Sequence, residues 1–330
     1  MNGRRWCWRS WEISRYFLSS ANLLFLFLVF LGPLISVSSR NWVICWAGIE
    51  IRFLGLIPLL FLSNKYVSLT KESSMKYFCI QALGRGILFY SGLVFFSDLF
   101  SNTFTLTLVL GAMIKLGLFP FHFWVPAVVS GLDWMPIYLI LTVQKVAPFA
   151  FLICTLRVIS INLSLVIGFF AVSRAVVGGL IGNNQTDLRA ILGSSSVAHS
   201  GWMTLGAIRG YFWGYFFIYC VSLLFVFRFL NRRTCTIETG RAILSLRGLP
   251  PFAIFIGKWG ILKSAIEVGF PVWVISGFLL RALISLMFYL KFSYFFVLNN
   301  KGLLRGLERN PLFRYFLLAN LSLLTFFLLV

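Results

Sequence analysis

The sequence predicts an all-α protein, a polytopic bundle of about eleven membrane-spanning helices. Three observations carry that prediction. The 330-residue chain is 59% apolar, with a mean hydropathy of +0.90. Charged residues make up only 12% of it, where a soluble domain carries roughly 25%. Apolar runs of about twenty residues recur from end to end, each long enough to cross a hydrocarbon core of roughly 30 Å. Backbone groups in lipid must pair within their own segment, so such runs are helices, and the period-2 alternation of a membrane barrel is absent.

The runs place spans at 20–38, 42–62, 76–96, 103–124, 136–156, 160–181, 190–207, 211–230, 242–266, 270–297 and 312–330. The 124–135 connection holds Pro126, Gly131 and Asp133, which marks a turn region. The longest polar connections fall near 63–75 and 298–311. Residues 1–18 are rich in Arg and Trp and lack the apolar core and cleavage site of a secretory signal. They read as a basic N-terminal extension, either an interfacial segment or an over-extended reading frame outside the native protein, with 19–330 forming a single transmembrane domain.

The net charge is +20, from 29 Lys and Arg against 9 Asp and Glu. In a soluble protein that excess would point to nucleic acid. Here no basic stripe lies on a polar face, so no nucleic-acid partner is expected and the charge reads as loop charge that orients the chain. Arg4, Arg5, Arg9 and Arg15, then Lys65, Lys71 and Lys76, then Arg232, Arg233 and Arg241, then Lys301, Arg305, Arg309 and Arg314 all fall on one side of an eleven-span topology. The opposite loops carry Arg40, Arg157 and Arg209. This asymmetry predicts an N-terminus in the positive-inside compartment and a C-terminus across the membrane.

Six cysteines (Cys7, Cys45, Cys79, Cys154, Cys220, Cys235) form no CxxC pair, and there are only two histidines. Structural zinc and iron–sulfur sites need clustered ligands, so no metal and no redox centre is expected on this chain.

Four ionisable residues sit deep in apolar runs: Glu50, Lys115, Lys145 and Lys258. A charge at the bilayer centre costs roughly 2.5–3.5 kcal/mol on insertion scales, and residues that costly usually face a bundle interior or an ion pathway. Burial disfavours the charged form, so such groups can exchange protons near neutral pH, and each charge alters the proton affinity of its neighbours. A line of them is a proton relay; the alternative is structural ion pairing between helices. Pro148 follows Lys145 by three residues, and Pro250–Pro251 precede Lys258. Proline breaks or kinks helices, and broken membrane helices build transport sites. Two proline-broken helices are therefore predicted. His122 follows Lys115 by seven residues, which predicts one shared helical face, either as a proton carrier or bonded to a backbone carbonyl. His199 and Ser195, in the small-residue stretch GSSSVAHSGWM, extend the polar axis or serve helix packing.

Five segments carry a resemblance: NWVICWAGIEIRFLGLIPLL at 41–60, KLGLFPFHFWVPAVVSGL at 115–132, TVQKVAPFAFL at 142–152, GGLIGNNQTDLRAILGSSSVAHSGWM at 178–203 and SLRGLPPFAIFIGKW at 245–259. In order and spacing they resemble the subunit 2 family of NADH dehydrogenase. That resemblance implies an antiporter-like fold with inverted repeats and a place in the mitochondrial inner membrane. The implied partners are the other membrane-arm subunits of respiratory complex I and inner-membrane lipids such as cardiolipin. It also implies that NADH, ubiquinone, FMN and iron–sulfur clusters belong to the rest of the complex. Glu50 then stands for the glutamate that acts on the first lysine, Lys115 for that lysine, Lys145 for the central one and Lys258 for the one toward the exit. His122 matches a polar residue of the central axis. A stand-alone secondary transporter or a related antiporter subunit is the alternative reading, and a proton-inert spacer is a third.

Two departures stand out. Ala127 occupies a position where the family often has glutamate. Arg52, Arg85, Arg174, Arg247 and Arg281 lie in apolar spans that hold too few acids to pair them all. Many invertebrate mitochondria read AGA and AGG as serine, so several of these are expected to be serine in the native protein; the alternative is that they are arginines that line water cavities or bind cardiolipin head groups.

Overall fold

The computed structural model describes residues 20–61, 67–96, 101–156, 161–231, 237–249, 252–267, 269–298, 315–318 and 320–321. Among these the chain forms helices and no strand. They fall into two compact units, Met1–Ile159 with Asp187–Gly193, and Ser160–Thr186 with Ser194–Val330. Among the described residues seven helical stretches, the interrupted Trp134–Leu156 counted as one, are long and apolar enough to cross a membrane, and Thr103–Leu116 is a shorter apolar one. The count of about eleven is not reached among the described residues. Of the span expected at 312–330, residues 315–318 and 320–321 are described, and these are helical. Residues 1–18 lie outside the described residues, as do Lys65, Arg157, Arg232, Arg233 and the basic residues of 301–314.

The first unit contains α1 (Ser20–Ser38), α2 (Trp42–Leu60), α3 (Val67–Phe96), α4 (Ser101–Leu116), α5 (Trp124–Gly131), α6 (Trp134–Leu141) and α7 (Val143–Leu156). Asn41 caps α2 by accepting from the Val43 N–H at 3.1 Å. Helices α1 and α2 form a tight hairpin whose seam is glycine. A Cβ on Gly48 would lie 2.7 Å from the Gly32 carbonyl, and one on Gly55 would lie 2.8 Å from the Phe25 carbonyl. Small residues at such crossings let backbones approach where apolar burial gives no net drive.

Helix α3 begins at Val67, earlier than the apolar run predicts. Its first turns are polar but locally satisfied: Lys76 pairs with Glu72 at 2.5 Å, and the Ser73 and Ser74 hydroxyls donate to the Thr70 and Lys71 carbonyls.

The span expected at 103–124 ends early, at Leu116. Gly117 adopts φ +62°, its N–H donates to the Ile114 carbonyl at 3.1 Å, and the Leu118 N–H reaches the Met113 carbonyl at 2.8 Å. This pair of bonds is a Schellman cap, whose left-handed residue is glycine because a Cβ is disfavoured there. The 124–135 region, expected to be turn alone, holds the two-turn helix α5.

The first predicted break is present but displaced. Pro148 lies inside α7, and the interruption falls at Thr142 (φ −115°, ψ −80°). The Thr142 N–H and hydroxyl both donate to the Tyr138 carbonyl, at 3.0 and 2.7 Å, closing α6. Helix α7 restarts with the Lys145 N–H on the Thr142 carbonyl at 3.0 Å.

The second unit contains α8 (Ile161–Asn184), the larger part of α9 (Leu188–Arg209), α10 (Phe212–Asn231), α11 (Ile237–Arg247), α12 (Ala253–Glu267) and α13 (Val272–Leu298). Helices α8 and α9 cross closely: a Cβ on Gly178 would meet the Ala198 nitrogen at 2.9 Å, and one on Gly201 the Ala171 carbonyl at 2.9 Å. The second break separates α11 from α12. It begins at Gly248, which has φ +70° and whose N–H caps onto the Ser245 carbonyl at 3.1 Å.

Gly48→Leu is expected to destabilise the α1–α2 hairpin by about 1–3 kcal/mol, the usual cost of overpacking. A lower midpoint on heating the detergent-solubilised protein would register it, and an unchanged midpoint would count against the seam.

Candidate functional site

In the first unit α2, α3, α4 and α7 direct polar side chains into an otherwise apolar interior. Arg85 on α3 forms an ion pair with Glu50 on α2 and stacks its guanidinium 3.7 Å from the Phe53 ring centroid. Arg52, one half-turn beyond Glu50, donates from Nη1 to the Gln144 main-chain oxygen at 2.7 Å. Lys115 is 2% exposed, in the last turn of α4, where the negative end of the helix dipole favours a cation. Its stem lies against Gly84 of α3, where an added Cβ would come within 2.9 Å of Lys115 Cγ. The charges of Arg52, Arg85 and Glu50 all act on its ammonium. Gln81 of α3 donates to the Lys115 main-chain oxygen at 3.5 Å, and the Trp124 indole N–H donates to Ile114 at 3.2 Å, so both sides of the helix end are held.

Lys145 is buried in the first turn of α7, at the positive end of that helix, where a cation is least favoured. His122 is also buried, but not on a helical face shared with Lys115. The Gly117 cap has already ended α4, and His122 sits in the following turn between the rings of Phe119 and Phe123, at centroid distances of 5.8 and 4.0 Å. Ala127, the departure from the glutamate often found in the resembled family, is exposed on α5.

In the second unit Lys258 is buried near the start of α12. Its Nζ donates to the main-chain oxygen of Arg247, the last residue of α11, and lies 5.6 Å from the Trp202 ring centroid. His199 Nδ1 and the Tyr215 hydroxyl are 2.7 Å apart, and the Tyr219 ring centroid is 5.0 Å from that of His199. Ser195 of α9 and Tyr289 of α13 are both buried in this unit. Arg174 donates to the Ser200 hydroxyl at 2.5 Å, and Arg281 is enclosed near Tyr215 and Tyr289. Among the described residues this unit has two acids, buried Glu238 and the exposed Glu267. Its buried cations are thus surrounded by hydroxyls, phenols and carbonyls more than by carboxylates.

Sequence reasoning missed Tyr77, Gln81 and Gln144 in the first unit and Tyr215, Tyr219 and Tyr289 in the second. A signal was present. Ser73, Tyr77, Gln81 and Arg85 recur every fourth residue on α3, and Arg281, Ser285, Tyr289 and Ser293 do so on α13. Each series is one helical face, and apart from the partly buried Arg85 all of its members are buried.

Buried lysines beside interrupted helices, one such arrangement in each unit, define the antiporter-like class of membrane bundle. A family model described as the transmembrane part of NADH:quinone oxidoreductase and Mrp antiporters matches residues 39–238. The NADH-ubiquinone oxidoreductase chain 2 of Albinaria caerulea is 35% identical over 278 residues, covering 83% of this chain and 89% of the relative. That of Branchiostoma floridae is 34% identical over 316 residues (86% and 89%), and that of Anopheles gambiae 33% over 308 (84% and 87%). Among solved structures, a chain of respiratory complex I from Thermus thermophilus with bound aureothin has the same fold, with TM-score 0.72 and 23% identity over 86% of this chain and 76% of that one. A chain of the Mrp complex from Dietzia sp. also shares the fold, with TM-score 0.72 and 14% identity over 81% and 59%. The chain belongs to the NADH:quinone oxidoreductase/Mrp antiporter family, within its NADH-ubiquinone oxidoreductase chain 2 branch.

Two neighbouring glycines of α3 test the seating of Lys115. Gly84→Val is expected to displace the lysine stem and to destabilise the protein by about 1–3 kcal/mol. Gly86, whose added Cβ would meet nothing within 4 Å, is expected to tolerate valine with a change of about 0.5 kcal/mol. Comparable thermal midpoints for the two variants would contradict this packing.

Proposed function

We propose that this chain is a proton-translocating membrane subunit of mitochondrial respiratory complex I. It couples NADH oxidation and ubiquinone reduction, carried out on other subunits, to proton transfer across the inner membrane. The observation that carries the proposal is the enclosure of Lys115 and Lys145 in one unit and of Lys258 in the other, each on a helix that borders an interruption.

In this reading Lys115 and Lys145 accept and release protons in the first unit. Glu50 is the counter-charge of Lys115, and Arg85 competes with Lys115 for it, since the carboxylate cannot be fully committed to both. A small swing of Glu50 between them changes the electrostatic work of holding a proton on Lys115. His122 supplies a further titratable group close to the α4 terminus. In the second unit Lys258 is the proton-carrying lysine, with His199 and Ser195 as its polar surroundings. The redox cofactors lie on other subunits, and neighbouring membrane-arm subunits and inner-membrane lipids, cardiolipin among them, are the partners. The N-terminus faces the matrix and the C-terminus the intermembrane space, following the Lys and Arg asymmetry.

Lys115→Ala and Lys145→Ala are each expected to lower proton pumping by roughly 100-fold, the scale lost with one acid–base group, while the assembled complex persists on native gels. Measuring acidification of proteoliposomes against NADH oxidised checks this. Unchanged pumping per NADH with normal assembly would reduce the chain to a spacer.

A further inference from the structure

A helical residue accepts at its carbonyl from the N–H four positions on. Pro148 has no N–H, so the carbonyl of Gln144, four residues earlier and buried within the first unit, has lost its helical donor. A buried carbonyl without a donor is costly. The donor comes from α2: Arg52 Nη1 lies 2.7 Å from the Gln144 oxygen. That oxygen belongs to the peptide unit joining Gln144 to Lys145. Arg52 also needs an anchor, since the nearby carboxylate, Glu50, is engaged by Arg85. Each group therefore answers the other's deficit.

The second unit also gives a freed carbonyl to a cation, by a different route. Helix α11 ends at Arg247, where Gly248 turns the chain, and the Arg247 main-chain oxygen accepts from the buried Lys258; Pro250 and Pro251 lie outside the described residues. There the carbonyl is taken by the titratable lysine itself. In the first unit it is taken by a guanidinium, which stays charged and offers a rigid planar fork.

We propose that Arg52 is a positioning residue for Lys145: it replaces the N–H that Pro148 lacks and so fixes the 144–145 peptide and the direction in which Lys145 leaves the helix. The proposal rests on the proton-transfer reading of Lys145. It takes arginine as the native residue at position 52, against the expectation of serine, whose hydroxyl on α2 is too short to reach this carbonyl.

The test is a double-mutant cycle in the assembled complex, reconstituted in proteoliposomes and driven by NADH with a soluble ubiquinone. Pro148→Ala restores an N–H and is expected to pump within about twofold of the parent. Arg52→Ala is expected to pump roughly 10-fold less per NADH, the consequence of one buried acceptor left bare. Arg52→Lys, which keeps a donor, is expected to fall between. The double variant R52A/P148A is expected to return to within about twofold of P148A, because the alanine N–H now serves Gln144. Equal losses in R52A and R52A/P148A would overturn the proposal, as would peptide mass spectrometry finding serine at position 52 in the purified subunit. If R52A does not assemble, assembly of R52A/P148A supports the cap and its failure overturns it. K145A run alongside separates the two claims. Normal pumping by K145A removes the proton role of Lys145, whereas rescue of assembly or pumping by P148A reports on the cap alone.

Discussion

A polar group facing lipid has no water to turn to, so each break in a helix and each buried charge must be answered by another part of the chain or by water held inside the bundle. Here the two demands answer one another. A proline removes an N–H and frees a carbonyl; a buried cation needs an acceptor and takes it. Arg52 on the Gln144 oxygen is that exchange in the first unit; in the second, Lys258 takes the Arg247 oxygen where α11 stops at Gly248. Carbonyls without a helical donor, one opposite Pro148 within α7 and one at the end of α11, are where these buried cations are held.

The two units meet the same constraint with different chemistry. The first has a carboxylate, Glu50, set among Arg52, Arg85 and Lys115, so its balance is ionic and sensitive to where one carboxylate points. The second encloses Arg174, Lys258 and Arg281 among Ser200, Tyr215, Tyr219, Tyr289 and His199. Neutral donors and acceptors there can turn without a change of net charge, which suits a hydrogen-bonded relay more than an ion-pair switch.

Much of this was legible in the residues. Apolar run length marked the helices, and the cost of charge in lipid singled out Glu50, Lys115, Lys145 and Lys258 before any geometry. What escaped was local. Gly117 was read as part of an apolar run, but its left-handed conformation ends α4 and carries His122 off the face of Lys115. Proline marked the neighbourhood of the first break but not its place: Pro148 sits in the helix it was expected to break, because Arg52 supplies the missing donor and Thr142 takes the interruption. That compensation depends on a side chain 92 positions away in sequence and has no local signature. The buried polar stripes of α3 and α13 were visible as four-residue periods, but apolar composition concealed them.

The most direct measurement is a cryo-electron microscopy map of the intact complex at a resolution that shows ordered water. The account predicts Arg52 on the Gln144 carbonyl and waters joining Glu50, Lys115 and Lys145 inside the first unit. Lysines turned out toward lipid, with a dry interior between those helices, would contradict it.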